Sequence, residues 1–379
     1  FFTPPVVIRG IYRALEQMGF QRGNILEPSC GVGNFMGMLP DAMKDSKLYG
    51  VELDSISGRI ARQLYQKASI AVQGFENTEL PDSFFDAALG NVPFGQFKVA
   101  DKRYDKHNFL IHDYFFAKTL DKVRPGGIVA LITSKGTMDK ENPAVRKYIA
   151  QRADLLGAIR LPNDTFKRAA GTDVTSDILF LQKRDRLIDR EPDWVYLDKD
   201  ANGVTMNRYF VENPDMILGE MKTVSGPFGP ETACVPYADQ SLGDLLSAAV
   251  QNIHADYTAI DVEELSEDEE EQVIPADPDV RNFSYTVVGE KLYYRENSVM
   301  KPVELSLTGE NRVKGMIGIR DSVRQLIEYQ TEDYPDTMIH AEQQHLNELY
   351  DAFVKKYGIL NSRANKSVFR SDDSFCLLA

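Results

Sequence analysis

The chain has 379 residues, 43% of them hydrophobic and 26% charged, which supports packed domains and excludes wholesale disorder. No apolar run approaches the ~18 residues of a membrane span, and three scattered cysteines without Cys-x-x-Cys, together with the lack of His-x-x-x-His, exclude a disulfide framework and the usual zinc spacings. The net charge of −14 argues against non-specific nucleic-acid binding, but ten acidic residues fall between 261 and 279 with no basic one among them, and the rest of the chain carries −4. The sequence starts Phe1-Phe2-Thr3, with neither an initiator Met nor a signal-peptide pattern, so the expectation is a cytoplasmic piece of a longer protein, without a membrane segment or a metal.

Apolar residues at helical spacing (Val7, Ile11, Leu15, Met18) predict a helix over 6–18. Residues 24–27 read as a short buried strand entering a Gly-rich turn, 48–53 as a second strand, 56–66 as the next helix and 85–89 as a strand ending at Gly90. A helix over 111–123 stops at Pro125-Gly126-Gly127, and the apolar 128–132 suits the centre of a sheet. Strands over 155–160 and 178–182 flank a loop over 162–177. This alternation over 1–185 predicts a mostly parallel, Rossmann-like α/β sheet. Residues 186–312 read as an accessory or target-recognition region. Its first part, 186–235, is rich in Pro, Gly, Asn and Asp; a helix over 242–253, the acidic linker 261–279 and strand pairs over 283–304, turning at Gly289-Glu290, follow. Residues 313–379 read as helical, with Met316, Ile319, Val323 and Ile327 on one helix and Leu346, Leu349, Phe353 and Tyr357 on another. The C-terminal region is thus expected to be smaller and mixed α+β.

Two motifs carry the spacing of a nucleoside-binding site. Glu27-Pro28-Ser29-Cys30-Gly31-Val32-Gly33 follows the first strand, and its glycines permit positive φ and close approach of a ligand to the backbone. A plain strand-to-helix turn uses the same residues, and Met36 stands where a dinucleotide fingerprint needs its third glycine. Glu52, 19 residues after Gly33 at the end of the second strand, falls where an acidic residue accepts hydrogen bonds from ribose hydroxyls; a solvated strand-end carboxylate is the alternative. A third motif, Gly90-Asn91-Val92-Pro93-Phe94-Gly95, follows the strand over 85–89. The basic residues after it, Lys98, Lys102, Arg103 and Lys106, are candidates for phosphate contacts or for a solvated face.

On these residues the chain resembles, over 1–185, the γ-type S-adenosylmethionine-dependent DNA adenine-N6 methyltransferases, which have a class I, Rossmann-like fold. Their catalytic motif, Asn/Asp-Pro-Pro-Tyr/Phe, is matched by Asn91, Pro93 and Phe94, with Val92 replacing the first proline. An exocyclic amine is a weak nucleophile because its lone pair is delocalised into the ring. In the family, the side-chain oxygen of the first residue and the backbone carbonyl of the second accept its two protons, and the aromatic residue stacks on the extruded base. The resemblance assigns these roles to Asn91, to the Val92 carbonyl beside Pro93, and to Phe94. It implies cofactor contacts from Glu27, Pro28, Gly31, Gly33 and Glu52, from Phe75 and Glu76 in Gln73-Gly74-Phe75-Glu76, and from Thr3 and Pro4 in Phe2-Thr3-Pro4-Pro5, which closes over the methionine end. Residues 130–134 resemble the family's sixth motif, and 166–172 with 176–179 its eighth, which lines the target-base pocket.

The whole chain is also similar to the methylase section of large methylase–helicase proteins of phages and conjugative elements, where 313–379 would be a helical connector toward a downstream helicase-like region of the same polypeptide. The implied function is methyl transfer from S-adenosylmethionine to N6 of an adenine flipped out of double-stranded DNA, in the setting of restriction–modification, with no metal. Two readings stay beside it. One is a non-catalytic DNA- or partner-binding front end of a helicase, which Val92 and the overall acidity favour. The other is a methyltransferase with the same loop type acting on RNA or protein.

Overall fold

The strands β1 (Asn24–Glu27), β2 (Lys47–Glu52), β3 (Ser69–Val72), β4 (Phe85–Asn91), β5 (Val123–Ser134), β6 (Ala153–Leu161) and β7 (Ser176–Lys183) form one sheet in the computed structural model, which describes residues 2–167, 173–226, 229–259, 273–332 and 334–378. Their order is β3-β2-β1-β4-β5-β7-β6. Paired neighbours run parallel except at β7, which is antiparallel to both β5 and β6. This is the mostly parallel, Rossmann-like α/β class expected from the alternation. Residues 128–132 are fully buried at its centre. Pro125-Gly126-Gly127 does not separate helix from strand. With Arg124, the three residues form a bulge inside β5, between Val123 opposite Phe85 and Ile128 opposite Ala87.

Strand order decides where a site can form. The chain leaves β1 on one side for β2 and β3, then returns to β4 on the other side of β1. The C-terminal ends of β1 and β4 therefore border a crevice, the usual ligand position in open α/β sheets. The helices α1 (Pro5–Gln17), α2 (Asn34–Gly37), α3 (Ser55–Leu64), α4 (Ile111–Lys122), α5 (Gly136–Asp139) and α6 (Ala144–Arg152) accompany these strands. The helix α4 is buried nearly all round. One reason is the loop over 92–110: Tyr114 and Lys118 of α4 donate to Asp101 of that loop at 2.7 and 3.1 Å, and Tyr104 of the loop donates to Asp121.

The stretch over 186–235, irregular by sequence, is ordered by tertiary contacts. It contains β8 (Leu197–Lys199), β9 (Thr205–Asn207), α7 (Arg208–Glu212) and the hairpin strands β10 (Glu220–Gly226) and β11 (Gly229–Val235); α8 (Leu242–Val250) follows where a helix over 242–253 is expected. Asn207, fully buried, donates to the carbonyls of Met138 and Trp194 at 2.8 Å each. Gln17 of α1 donates to the carbonyls of Val250 and Ile253 at 3.2 and 2.9 Å, tying α8 to the N-terminal helix. Residues up to Ala259 make one compact unit with the sheet.

The second unit starts at Ile260. Its strands β12 (Ile274–Pro275), β13 (Tyr285–Val288), β14 (Lys291–Glu296) and β15 (Val299–Pro302) pair antiparallel in the order β12-β15-β14-β13, with Gly289-Glu290 as the turn between β13 and β14. The helices α9 (Leu307–Thr331) and α10 (Asp336–Tyr357) follow, and Tyr285, Leu292, Val313, Met316, Ile319 and Phe353 share its core. Residues 261–272 of the acidic stretch lie outside the described residues. No helix among the described residues is long and apolar enough to cross a membrane.

The edge of the main sheet is held by a buried ion cluster. Arg160 of β6, fully buried, donates to both carboxylate oxygens of Asp177 of β7 at 2.8 and 2.9 Å and to Asp139 at 2.8 Å. Arg160→Met strands two carboxylates without their cation, and the expected loss is ~3–5 kcal/mol of stability. Urea denaturation checks it: the midpoint should fall at an unchanged slope.

Candidate active site

Three polar residues terminate neighbouring strands at the crevice: Glu27 ends β1, Glu52 ends β2 and Asn91 ends β4. They line a cavity of about 480 Å³ together with Thr3, residues of the Gly-rich turn, Asp54, Ser57, Val92, Pro93 and Phe94. The turn is fastened to β2. Cys30 N–H donates to the Val51 carbonyl at 2.9 Å, and Gly31 N–H donates to Glu52 Oε2 at 2.7 Å. The other oxygen of Glu52 accepts from Asp54 N–H at 2.8 Å, so this carboxylate braces the turn and the entry to α3 while lining the cavity. Gly33 caps α2 at φ +86°, and a Cβ there would stand 2.4 Å from the Tyr65 ring, so only glycine fits both the backbone and the packing. At Gly90 a Cβ would approach Glu27 Cγ to 3.3 Å, and φ is +148°. Pro28 is buried behind the same glycine.

The electrostatics of this cavity have one sign. Glu27, Glu52 and Asp54 line it, and no Lys, Arg or His does among the described residues. Burial, and next the charge of Glu52, hold the Glu27 carboxyl well above the usual carboxylate range. Burial first and Glu27 second also push up the Tyr12 and Tyr65 hydroxyls and the Cys30 thiol. One oxygen of Glu27, Oε2, is buried with no hydrogen-bond partner. Such a site repels phosphates and suits a cation that also carries hydroxyl donors.

Asn91 is held from one end only. Its Nδ2 donates to the buried Thr3 hydroxyl at 3.3 Å, while Oδ1 is buried with no partner. The N-terminal Phe2-Thr3-Pro4-Pro5 segment thus touches the end of β4 directly, a contact no spacing rule predicts. Val92 N–H donates to the Ile132 carbonyl at 3.1 Å. A proline here would have no N–H to give; valine instead continues the pairing of β4 with β5, which restrains the backbone by a hydrogen bond rather than by a ring. Pro93 and the half-buried Phe94 complete this wall.

The remaining sequence-derived residues lie elsewhere. Pro4 lines a second, larger cavity of about 1080 Å³ that shares Phe2, Thr3 and Asn34 with the first. The Phe75 ring is buried against Phe115 and Tyr114, with Lys118 Nζ 5.1 Å from its centre, and neither Phe75 nor Glu76 is in the cavity wall. Glu76 folds back toward Gly74. Lys98 donates to Asn108, and Lys102 and Lys106 are exposed on the same loop. Arg103 is committed to Asp82 and Asp121 at 2.7 and 3.0 Å. Of the segment read as an eighth motif, 168–172 lie outside the described residues, and Asp177 belongs to the buried cluster with Arg160. Sequence reasoning missed Ser29, Asp54, Ser57 and Phe35 in the cavity wall. For Asp54 a signal existed: it caps α3, accepting from Ser57 N–H at 2.7 Å.

Comparison with known proteins gives the family. Defense against restriction protein B of Escherichia phage P1 is 32% identical over 189 residues, 48% of this chain and 8% of that protein. Type II methyltransferase M.CvrRI of Paramecium bursaria Chlorella virus XZ-6E is 40% identical over 95 residues, 25% of this chain and 24% of the relative. Type II methyltransferase M.XamI of Xanthomonas campestris pv. amaranthicola is 26% identical over 201 residues, 47% of this chain and 37% of the relative. The chain thus spans well under half the length of each of these relatives. Residues 1–213, more than half of the chain and all of the seven-stranded sheet, match the family described as N-6 DNA Methylase, and the chain belongs to that family.

Proposed function

We propose that the chain transfers a methyl group from S-adenosylmethionine to the N6 amine of an adenine flipped out of double-stranded DNA. The observation that carries this reading is Asn91 Oδ1, a buried acceptor without a donor, at a cavity beside two strand-end carboxylates. Leaving such an atom unpaired costs ~1–3 kcal/mol, and an exocyclic amine entering the cavity supplies the missing donor. Family membership and the word methyltransferase in the names of two relatives support the reaction class.

The donor set fits the cofactor. Glu52 would accept from ribose hydroxyls, and Glu27, with its unpartnered oxygen, from the ammonium group. The turn at Gly31 would let the ligand approach the backbone, and Thr3 would close the other side; Gly33, packed against Tyr65, would hold the turn's shape rather than touch the ligand. When bound, S-adenosylmethionine supplies an electrophilic methyl group on a positively charged sulfur. Asn91 Oδ1 and the Val92 carbonyl accept hydrogen bonds from the two amine N–H groups and turn the nitrogen lone pair out of conjugation, while Phe94 stacks on the base; the nitrogen takes the methyl group as the neutral thioether leaves, and the one proton it then sheds goes to solvent. Lys98, Lys102 and Lys106 meet backbone phosphates. Positioning alone does this work, without a metal or a covalent enzyme intermediate. The phage relative is many times longer than the matched stretch, which supports placing this methylase unit in a larger polypeptide; a downstream helicase-like region in that polypeptide is part of the proposal.

Three measurements test the reading. Labelled methyl groups from S-adenosylmethionine should appear as N6-methyladenine in unmethylated DNA, and Asn91→Ala should lower kcat by ~10²–10³ with cofactor affinity kept; label outside adenine refutes the substrate. A cationic cofactor must draw the raised Glu27 carboxyl toward its ionised form, so binding releases protons and affinity rises with pH through the Glu27 titration. Calorimetry in buffers of different ionisation heat reads those protons, and Glu27→Gln should abolish the dependence. Val92→Pro loses the bond to Ile132 and should cost ~1 kcal/mol in thermal denaturation, whereas Val92→Ala keeps the bond.

A further inference from the structure

Phe97 follows Phe94 of the cavity wall by three residues and does not itself line the cavity. Its side chain is 54% exposed. Single exposed aromatics are common on protein surfaces, but three features set this one apart. The ring packs on Gly95, where an added Cβ would stand 2.5 Å from Phe97 Cε1 and 2.6 Å from Cδ1, so the ring's place depends on glycine there. Gly95 directly follows Phe94 of the cavity wall. The backbone under the ring is also pinned: the Phe97 carbonyl accepts from Ile111 N–H at 2.9 Å, and Asp101, further along the loop, is clamped by Tyr114 and Lys118. An apolar ring is thus held toward solvent on a fixed support, three residues along the chain from the cavity wall, with Lys98 adjacent and Lys102 and Lys106 exposed on the same loop.

We propose that Phe97 is a wedge that enters the DNA duplex at the step vacated by the target adenine. The proposal rests on the DNA-methyltransferase reading above. Extruding a base leaves its neighbours unstacked, at a cost of a few kcal/mol. An apolar side chain inserted at the step replaces part of that stacking. A ring already held in place loses little freedom on insertion, and lysines on the same loop meet the flanking phosphates. The step makes and breaks no covalent bond.

The test uses the full chain and an adenine first located by its own methyl labelling in unmethylated DNA. Two short duplexes are built around that adenine, one with thymine opposite it and one with an abasic site, where little pairing opposes flipping. Phe97→Ala should lower kcat/KM about tenfold or more on the paired duplex and leave the abasic duplex within about twofold of the parent chain. Phe97→Trp should retain activity on both. Unchanged cofactor affinity by calorimetry shows that the variant is folded. Equal loss on both duplexes, or loss on neither, overturns the wedge. A parent chain that labels no DNA overturns the methyltransferase reading itself, and the wedge with it.

Discussion

The reversal of strand order between β1 and β4 is the constraint on which the site depends. No crossover covers the gap between their C-terminal ends, so the last residue of each strand reaches a cavity instead of a helix. Glu27 and Asn91 occupy those positions, and each keeps one buried oxygen without a protein partner. The sheet tolerates the cost because its centre is dense and apolar: residues 128–132 of β5 and most of β4 are fully buried. Local polar expense at a site offset by packing around it is the usual signature of function.

Local charge matters more than the sum. The chain is strongly acidic, yet its cavity is acidic for a reason unrelated to the run over 261–279. Glu52 braces the Gly-rich turn through Gly31 N–H and still faces the cavity, and its charge is one of the causes that raise Glu27. Lys98, Lys102 and Lys106 of the loop over 92–110 are exposed. Arg103, which looks like their equal by sequence, is neutralised by Asp82 and Asp121.

The loop over 92–110 is fastened to the core at a few points. Asp101 binds Tyr114 and Lys118, and His107 stacks on Phe109 against Tyr148. Those polar and aromatic staples help explain why α4 has almost no exposed face although it carries His112, Asp113, Lys118 and Lys122: part of the side that would meet water meets the loop. They also make the loop a firm extension of the Asn91-Val92-Pro93-Phe94 segment.

Much of the architecture could be read from local pattern. The parallel α/β class followed from apolar runs alternating with amphipathic helices, and Glu27, Glu52 and Asn91 could be named because a strand end is a fixed place relative to its glycines and prolines. Strand β3 and helix α6 escaped notice, because four residues show no period and α6 is weakly amphipathic. The order over 186–235 was illegible for a different reason: its elements are held by contacts such as Asn207 to Met138, distant in sequence. Which way an aromatic faces was equally hidden. Phe75 turns into the core because Phe115 and Tyr114 wait there, and Phe97 turns outward because Gly95 makes room for it. The sequence alone therefore determined the sheet, the polar strand ends and the residue types at the site, since these rest on local periodicity and backbone chemistry. Only the tertiary structure decided which charges are neutralised, which oxygens lack a partner and which rings are free, since burial and pairing depend on neighbours far along the chain.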